Sequence, residues 1–252
     1  MDEKKALFTY LLRLADSSLI MGHRLSEWCG YGPILEEDIA MTNIALDLVG
    51  QSRFLYDYAA EVEGEGRTED DLAYLRKERE YYNLMITEIP NGDFGMTMTK
   101  QFLFDVYQYY LYTALKESKD ERLAEFAVKS LKETTYHVRH SSEWMLRLGD
   151  GTEESHERVQ QALDTVWRYT GEMFIADEVD EMMAAAGIAP KLADIKKQWD
   201  EKVSSVIKEA TLKRPEDGWV IEGSKKGIHT EHLGFVLAEL QYMQRAYPGM
   251  KW

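Results

Sequence analysis

The chain has 252 residues, 44% hydrophobic and 30% charged, which suits a substantial buried core and excludes a disordered polypeptide. Its 30 basic and 45 acidic residues leave a net charge of −15, which repels phosphate backbones and anionic lipid and so argues against nucleic-acid and membrane partners. No apolar run nears the roughly 20 residues that cross a bilayer, Arg13, Asp16 and Arg24 interrupt any signal-peptide core, and the single Cys29 allows no internal disulfide, so a cytoplasmic location is expected.

Five prolines, with none from Asn91 to Ala189, favour long helices. Leu7, Leu11, Leu14, Met21, Leu25 and Trp28 recur at helical spacing and predict a first helix over about 3–28. Gly30-Tyr-Gly-Pro33 stops it, and Pro33 suits the start of a second helix over about 34–62, ended by Gly64-Glu-Gly66. Thr68-Glu-Asp-Asp71 fits a capping box opening a shorter helix to about Tyr82. Asn91-Gly92 marks a turn before a third long helix over about 94–118. Asp120 can cap a fourth over about 121–148, closed by Gly149-Asp-Gly151. Further helices are predicted at about 153–174, 178–186, 191–213 and 231–246, with an irregular stretch from Arg214 to Gly227.

Short gaps after the first and third long helices and a long gap after the second describe two antiparallel hairpins joined by a crossover, the layout of a ferritin-like four-helix bundle. With no repeat and no clear linker, the expectation is all-α: one ferritin-like domain over 1–252, with additional C-terminal helices over 153–246 around the core.

Isolated acids inside apolar helix carry the chemical information. Asp16, Asp47 and Asp105 each stand alone among uncharged neighbours, and Glu133 falls near the matching level of the fourth helix. A carboxylate buried in this way must be paired, hydrogen-bonded, protonated or bound to a metal. Di-iron carboxylate bundles place a Glu on each of two helices and a Glu-x-x-His on the other two. Here the histidine positions hold Gly50, three residues after Asp47, and Tyr136, three after Glu133. Gln51 and His137 lie one step further, about 100° round the helix. Three of the four acids are Asp, one methylene shorter than Glu. Two readings therefore stand: a metal-free polar core, with Asn43, Gln51, Arg53 and Lys132 as candidate neutralising neighbours, or a di-metal site using Asp47, Asp105, Glu133 and His137 through an altered register.

Several other features have both a bland and a chemical reading. Glu133, His137, His140 and Trp144 form one stripe of the fourth helix, with Leu131, Val138 and Met145 opposite, so that helix wants two neighbours. His229-Thr-Glu-His232 has the spacing of a metal clip, or Thr230 simply caps the last helix. Lys225 and Lys226 make a basic patch suited to a phosphate or an acidic partner, or a solvated loop. Tyr107-Gln-Tyr-Tyr-Leu-Tyr112 reads as packing, and Cys29 as a small buried residue.

Taken in order, Leu25-Ser-Glu-Trp-Cys-Gly30, Asn43-Ile-Ala-Leu-Asp-Leu48, Gly64-Glu-Gly66, Pro90-Asn-Gly92, Lys132-Glu-Thr-Thr-Tyr-His137, Lys225-Lys-Gly-Ile-His-Thr-Glu-His-Leu-Gly234, Ala238-Glu-Leu-Gln-Tyr-Met-Gln244 and Trp252 resemble the PaaC-type subunits of bacterial phenylacetyl-CoA epoxidases. The resemblance covers nearly the whole chain. It implies a structural, non-catalytic ferritin-like subunit with no cofactor of its own. A homologous PaaA-type partner would carry the di-iron centre that converts phenylacetyl-CoA to its epoxide, fed by a reductase using NADPH, flavin and an iron–sulfur cluster. It implies that Asp16, Asp47, Gly50, Asp105, Glu133 and Tyr136 are positions of a degenerate metal site. Lys225 and Lys226 are then candidate contacts to the CoA thioester or to the partner. A di-metal oxygenase in its own right is the alternative.

Overall fold

Helix α1, Glu3–Ser26, starts where Asp2 accepts a hydrogen bond from the Lys5 amide at 2.8 Å. The structure, a computed structural model, describes residues 1–250; Trp252, part of the resemblance, lies outside them. Helix α2, Leu35–Glu63, ends at Gly64 as expected. The two run antiparallel, since Lys4 Nζ donates to the Glu63 carbonyl at one end while Gly22 faces Ala45 and Leu48 near the other. A side chain at Gly22 would press to 3.2 Å on the Ala45 carbonyl, so the missing Cβ lets the helices approach closely.

The contacts group the described residues into two compact units: Met1–Pro90 with the segment from Gly223 onward, and Asn91–Glu222. The first holds α1, α2, the short helix α3, Glu69–Tyr74, and near the C-terminus α9, Glu231–Leu240, and α10, Tyr242–Ala246. The second holds α4, Phe94–Leu115, α5, Glu121–Gly149, α6, Glu153–Val166, α7, Glu178–Ala186, and α8, Leu192–Glu209. The all-α expectation holds: there are ten α-helices and no strand among the described residues. None of them is long and apolar enough to cross a membrane.

Helices α4 and α5 make the second antiparallel hairpin. Tyr112 meets Phe126 at its start, and Thr99 meets Met145 at its far end. Their caps are Asp93, accepting from Met96 N, and Asp120, accepting from Leu123 N as the sequence suggests. Helix α4 is buried along most of its length, and Trp199 of α8 anchors to it by donating to the Leu103 carbonyl at 2.9 Å. The tyrosine run packs as expected: Tyr107 meets Phe174 edge-on, and Gln108 donates to the Tyr112 hydroxyl.

Four expected helices are shorter, each for a local reason. The capping box at Thr68 and Asp71 forms, but α3 stops at Tyr74 because Arg76 turns inward and takes the carbonyls of Leu72 and Glu80. Helix α6 stops at Val166 and gives way to two 3-10 turns, Trp167–Tyr169 and Gly171–Phe174, where Val220 leaves no room for a Cβ at Gly171. Helix α8 ends before Thr211, whose φ of 60° is left-handed. The last predicted helix divides into α9 and α10 at Gln241, whose side chain donates to Arg76 O and Tyr81 Oη. Cys29, expected to be buried, is exposed in the turn after α1.

Candidate functional site

Asp16 lies in the middle of α1, fully buried. Oδ1 accepts from the Tyr56 hydroxyl of α2 at 2.5 Å and from Arg76 Nη2, while Oδ2 accepts from Arg76 Nη1 at 3.1 Å and from the Tyr82 amide at 2.7 Å. The guanidinium sits 4.2 Å above the Tyr81 ring and 5.4 Å from that of Tyr56. Burial opposes the charge of Arg76, and the attraction of Asp16 overcomes it, so its pKa stands above that of a free arginine. Burial and the Asp16 charge push the Tyr56 hydroxyl well up. This is a bidentate pair with every carboxylate lone pair directed at a donor.

Asp105 is the buried acid of the other unit. Its Oδ1 accepts from Gln101 Nε2 at 3.0 Å, one helical turn earlier on α4, and its Oδ2 from Ser141 Oγ of α5 at 2.8 Å. Burial pushes the carboxyl up to about 7 against the attraction of His137 and the two hydrogen bonds. The His137 carbonyl, 2.9 Å from Ser141 Oγ, competes with Asp105 for its one hydrogen, and the His137 side chain is itself buried.

The remaining candidates lie in other settings. Asp47 and Glu133 are half-buried. Gly50 is exposed, with open space where a Cβ would stand. Tyr136 is exposed, its ring stacked on His140 and 5.5 Å from the Arg139 guanidinium. Asn43, Arg53 and Lys132 are exposed, and Arg53 pairs with Glu69; the group that neutralises Asp16 is Arg76, while Asp105 is met by the uncharged donors Gln101 and Ser141. Lys225 and Lys226 stand on the 3-10 turn Ser224–Lys226. Thr230 caps α9, accepting from the His232 amide, and the His229 ring faces Glu88 and Tyr81 instead of forming a clip with His232.

Arg76, which sequence reasoning misses, carries no local signal: its partner lies sixty residues earlier. Gln101 and Ser141 were findable, since Gln101 is four residues from Asp105 and Ser141 is four residues from His137.

These donors do not make a di-iron set. The oxygens of Asp16 point at a guanidinium, a phenol and an amide, and those of Asp105 at an amide and a hydroxyl. No group of three or more His, Cys, Asp or Glu side chains is disposed to hold a metal among the described residues.

The family model described as phenylacetic acid catabolic protein matches residues 1–252. The chain belongs to this family. Within the phenylacetic acid catabolic family, the C subunit of 1,2-phenylacetyl-CoA epoxidase from Escherichia coli (strain K12) is 47% identical over 246 residues, which cover 98% of this chain and 99% of that relative.

Proposed function

We propose that this chain is the structural, non-catalytic subunit of a multicomponent phenylacetyl-CoA epoxidase in aerobic phenylacetate catabolism, and that it pairs with and stabilises a homologous di-iron catalytic subunit. The near full-length identity to the C subunit of such an epoxidase supports the assignment to that complex. The Asp16–Arg76 pair carries the structural part of the reading. A fixed guanidinium neutralises a carboxylate on a long core helix, where a di-iron protein would need a metal to do so.

The surface supports pairing. Leu35, Ile39, Leu46 and Val49 of α2 are 71%, 52%, 64% and 42% exposed and recur at spacings of four, seven and three, along one stripe of the helix. An apolar stripe of this length on a chain so charged is a protein-docking face. A permanent contact between subunits usually buries about 2,000 Å² or more.

The test is iron reconstitution of the chain alone and together with its catalytic partner. The expected result is iron in stoichiometric amount only when the partner is present, with no epoxidation by this chain plus reductase. Two irons bound per isolated chain, with epoxide formed, would establish the di-metal oxygenase instead. Separately, Leu46→Glu is expected to cut recovery of the partner at least tenfold while leaving the helical signal intact. Unchanged recovery would remove the α2 stripe from the interface.

A further inference from the structure

We propose that His229 is an imidazolium clasp that fastens the C-terminal segment of its unit to the turn at Met85–Glu88 and loosens as the pH rises. Nδ1 lies 2.6 Å from Glu88 Oε1, and Nε2 lies 2.8 Å from the Tyr81 carbonyl oxygen. A carbonyl oxygen can only accept, so Nε2 carries a hydrogen, and with Glu88 ionised Nδ1 carries one as well. Both hydrogens are present together only in the charged ring.

The carboxylate is built to receive it. Glu88 is wholly buried. Oε1 also accepts from Asn83 Nδ2 at 2.9 Å, and Oε2 accepts from the amide of Thr230 at 2.8 Å and its hydroxyl at 2.6 Å. The three other neighbours of these oxygens are donors, an environment that favours the ionised carboxylate. A neutral His229 would turn a lone pair toward either Glu88 or Tyr81 in a buried place.

The surrounding charges act in the same sense. Burial works against the imidazolium, but the hydrogen bond and attraction of Glu88, the Tyr81 carbonyl and the more distant Asp16 outweigh it, and the His229 pKa is raised above 6.5. Arg24 of α1 addresses the backbone carbonyl of Glu88 at 2.8 and 3.1 Å, not its carboxylate. Arg76 lies over the Tyr81 ring and is committed to Asp16.

The clasp has a mechanical consequence. Gly227, at φ +68°, passes so close to the Arg79 carbonyl that a side chain there would collide with it. Beyond His229 the chain enters α9, then reaches Gln241 and Arg245, which donate to the Arg76 carbonyl at 2.9 Å each. Of these fastenings His229 alone is an imidazole, whose charge is lost as the pH rises. Its folded pKa lies above its unfolded one, so its stabilisation is complete below about pH 6.5 and is lost as pH rises through the folded value.

The experiment is 15N NMR of histidine-labelled full-length chain through a pH titration, with hydrogen exchange of residues 231–246 beside it. At pH 7 both ring nitrogens of His229 should be protonated. Glu88→Gln should lower the midpoint, and the opening equilibrium of 231–246 should grow by up to tenfold per pH unit between about 6.5 and that midpoint. A single unprotonated ring nitrogen at pH 7 would overturn the proposal, as would a midpoint indifferent to Glu88→Gln. Should that variant not fold, the protonation state of the parent chain decides the matter alone.

Discussion

Arg76 and Asp16 neutralise one another inside the first unit, and removing one leaves the other stranded. Asp16→Ala exposes no surface to water in compensation, so it should cost about 3–5 kcal/mol in urea unfolding. Replacing both by apolar residues, as in Asp16→Leu with Arg76→Met, should recover at least half of that loss; an additive loss would contradict the pairing. Asp105 behaves in the opposite way. Its folded pKa of about 7 lies above the ordinary 3.8, so the unfolded chain releases this proton first and stability falls as pH rises from about 4 to about 7. Asp105→Asn should flatten that limb, shifting the stability difference by about 1–4 kcal/mol in favour of the variant between those limits. Parallel curves for variant and parent would show that the carboxyl is not protonated. That Asp16 and Asp105 are buried could be read from their uncharged helical neighbours. What satisfies them could be read only at Asp105, because Gln101 is its own helical neighbour, whereas Arg76 arrives from a distant turn.

Helix boundaries illustrate how far local chemistry reaches. Asp2, Asp93 and Asp120 cap the starts of α1, α4 and α5, and Gly64 ends α2, each beside the helix it bounds in the chain. Helix α3 departs from expectation through Arg76, which takes carbonyls only four residues away, whereas at Gly171 and Gln241 the partners, Val220 and Arg76, lie far along the chain and no short window of sequence contains both. Helix α2 shows another limit. Its apolar residues surround it, but a single sequence does not say which face meets its own chain and which another. Gly50 lies on the open side, with space around it. Gly50→Ala should therefore raise the stability of the isolated chain by about 1 kcal/mol, the usual gain in an exposed helix interior. Gly50→Trp should leave that stability nearly unchanged and yet, on the proposed pairing, weaken recovery of the proposed catalytic partner. Equal recovery of the two variants would place the interface elsewhere.

For the whole molecule, the division at Pro90 and Asn91 falls where the sequence marks a turn, while the return to the first unit at Gly223 lies inside a stretch read only as irregular. The all-helical class was legible from proline spacing and periodicity, and the family from motifs spread over the full length. The two-unit grouping was not, because it depends on the late segment packing against residues near Arg76 and Glu88, and no linker composition announces it. That arrangement has a consequence for the order of synthesis. Residues 91–222 form a contiguous unit whose sequence is complete before the last segment leaves the ribosome. The first unit must wait: Glu88 has no His229, and the Arg76 carbonyl no Gln241, until residues 229 and 241 have been made. A nascent chain stalled short of Gly223 should thus protect Asn91–Glu222 from protease while leaving the Arg76–Glu88 region open to cleavage.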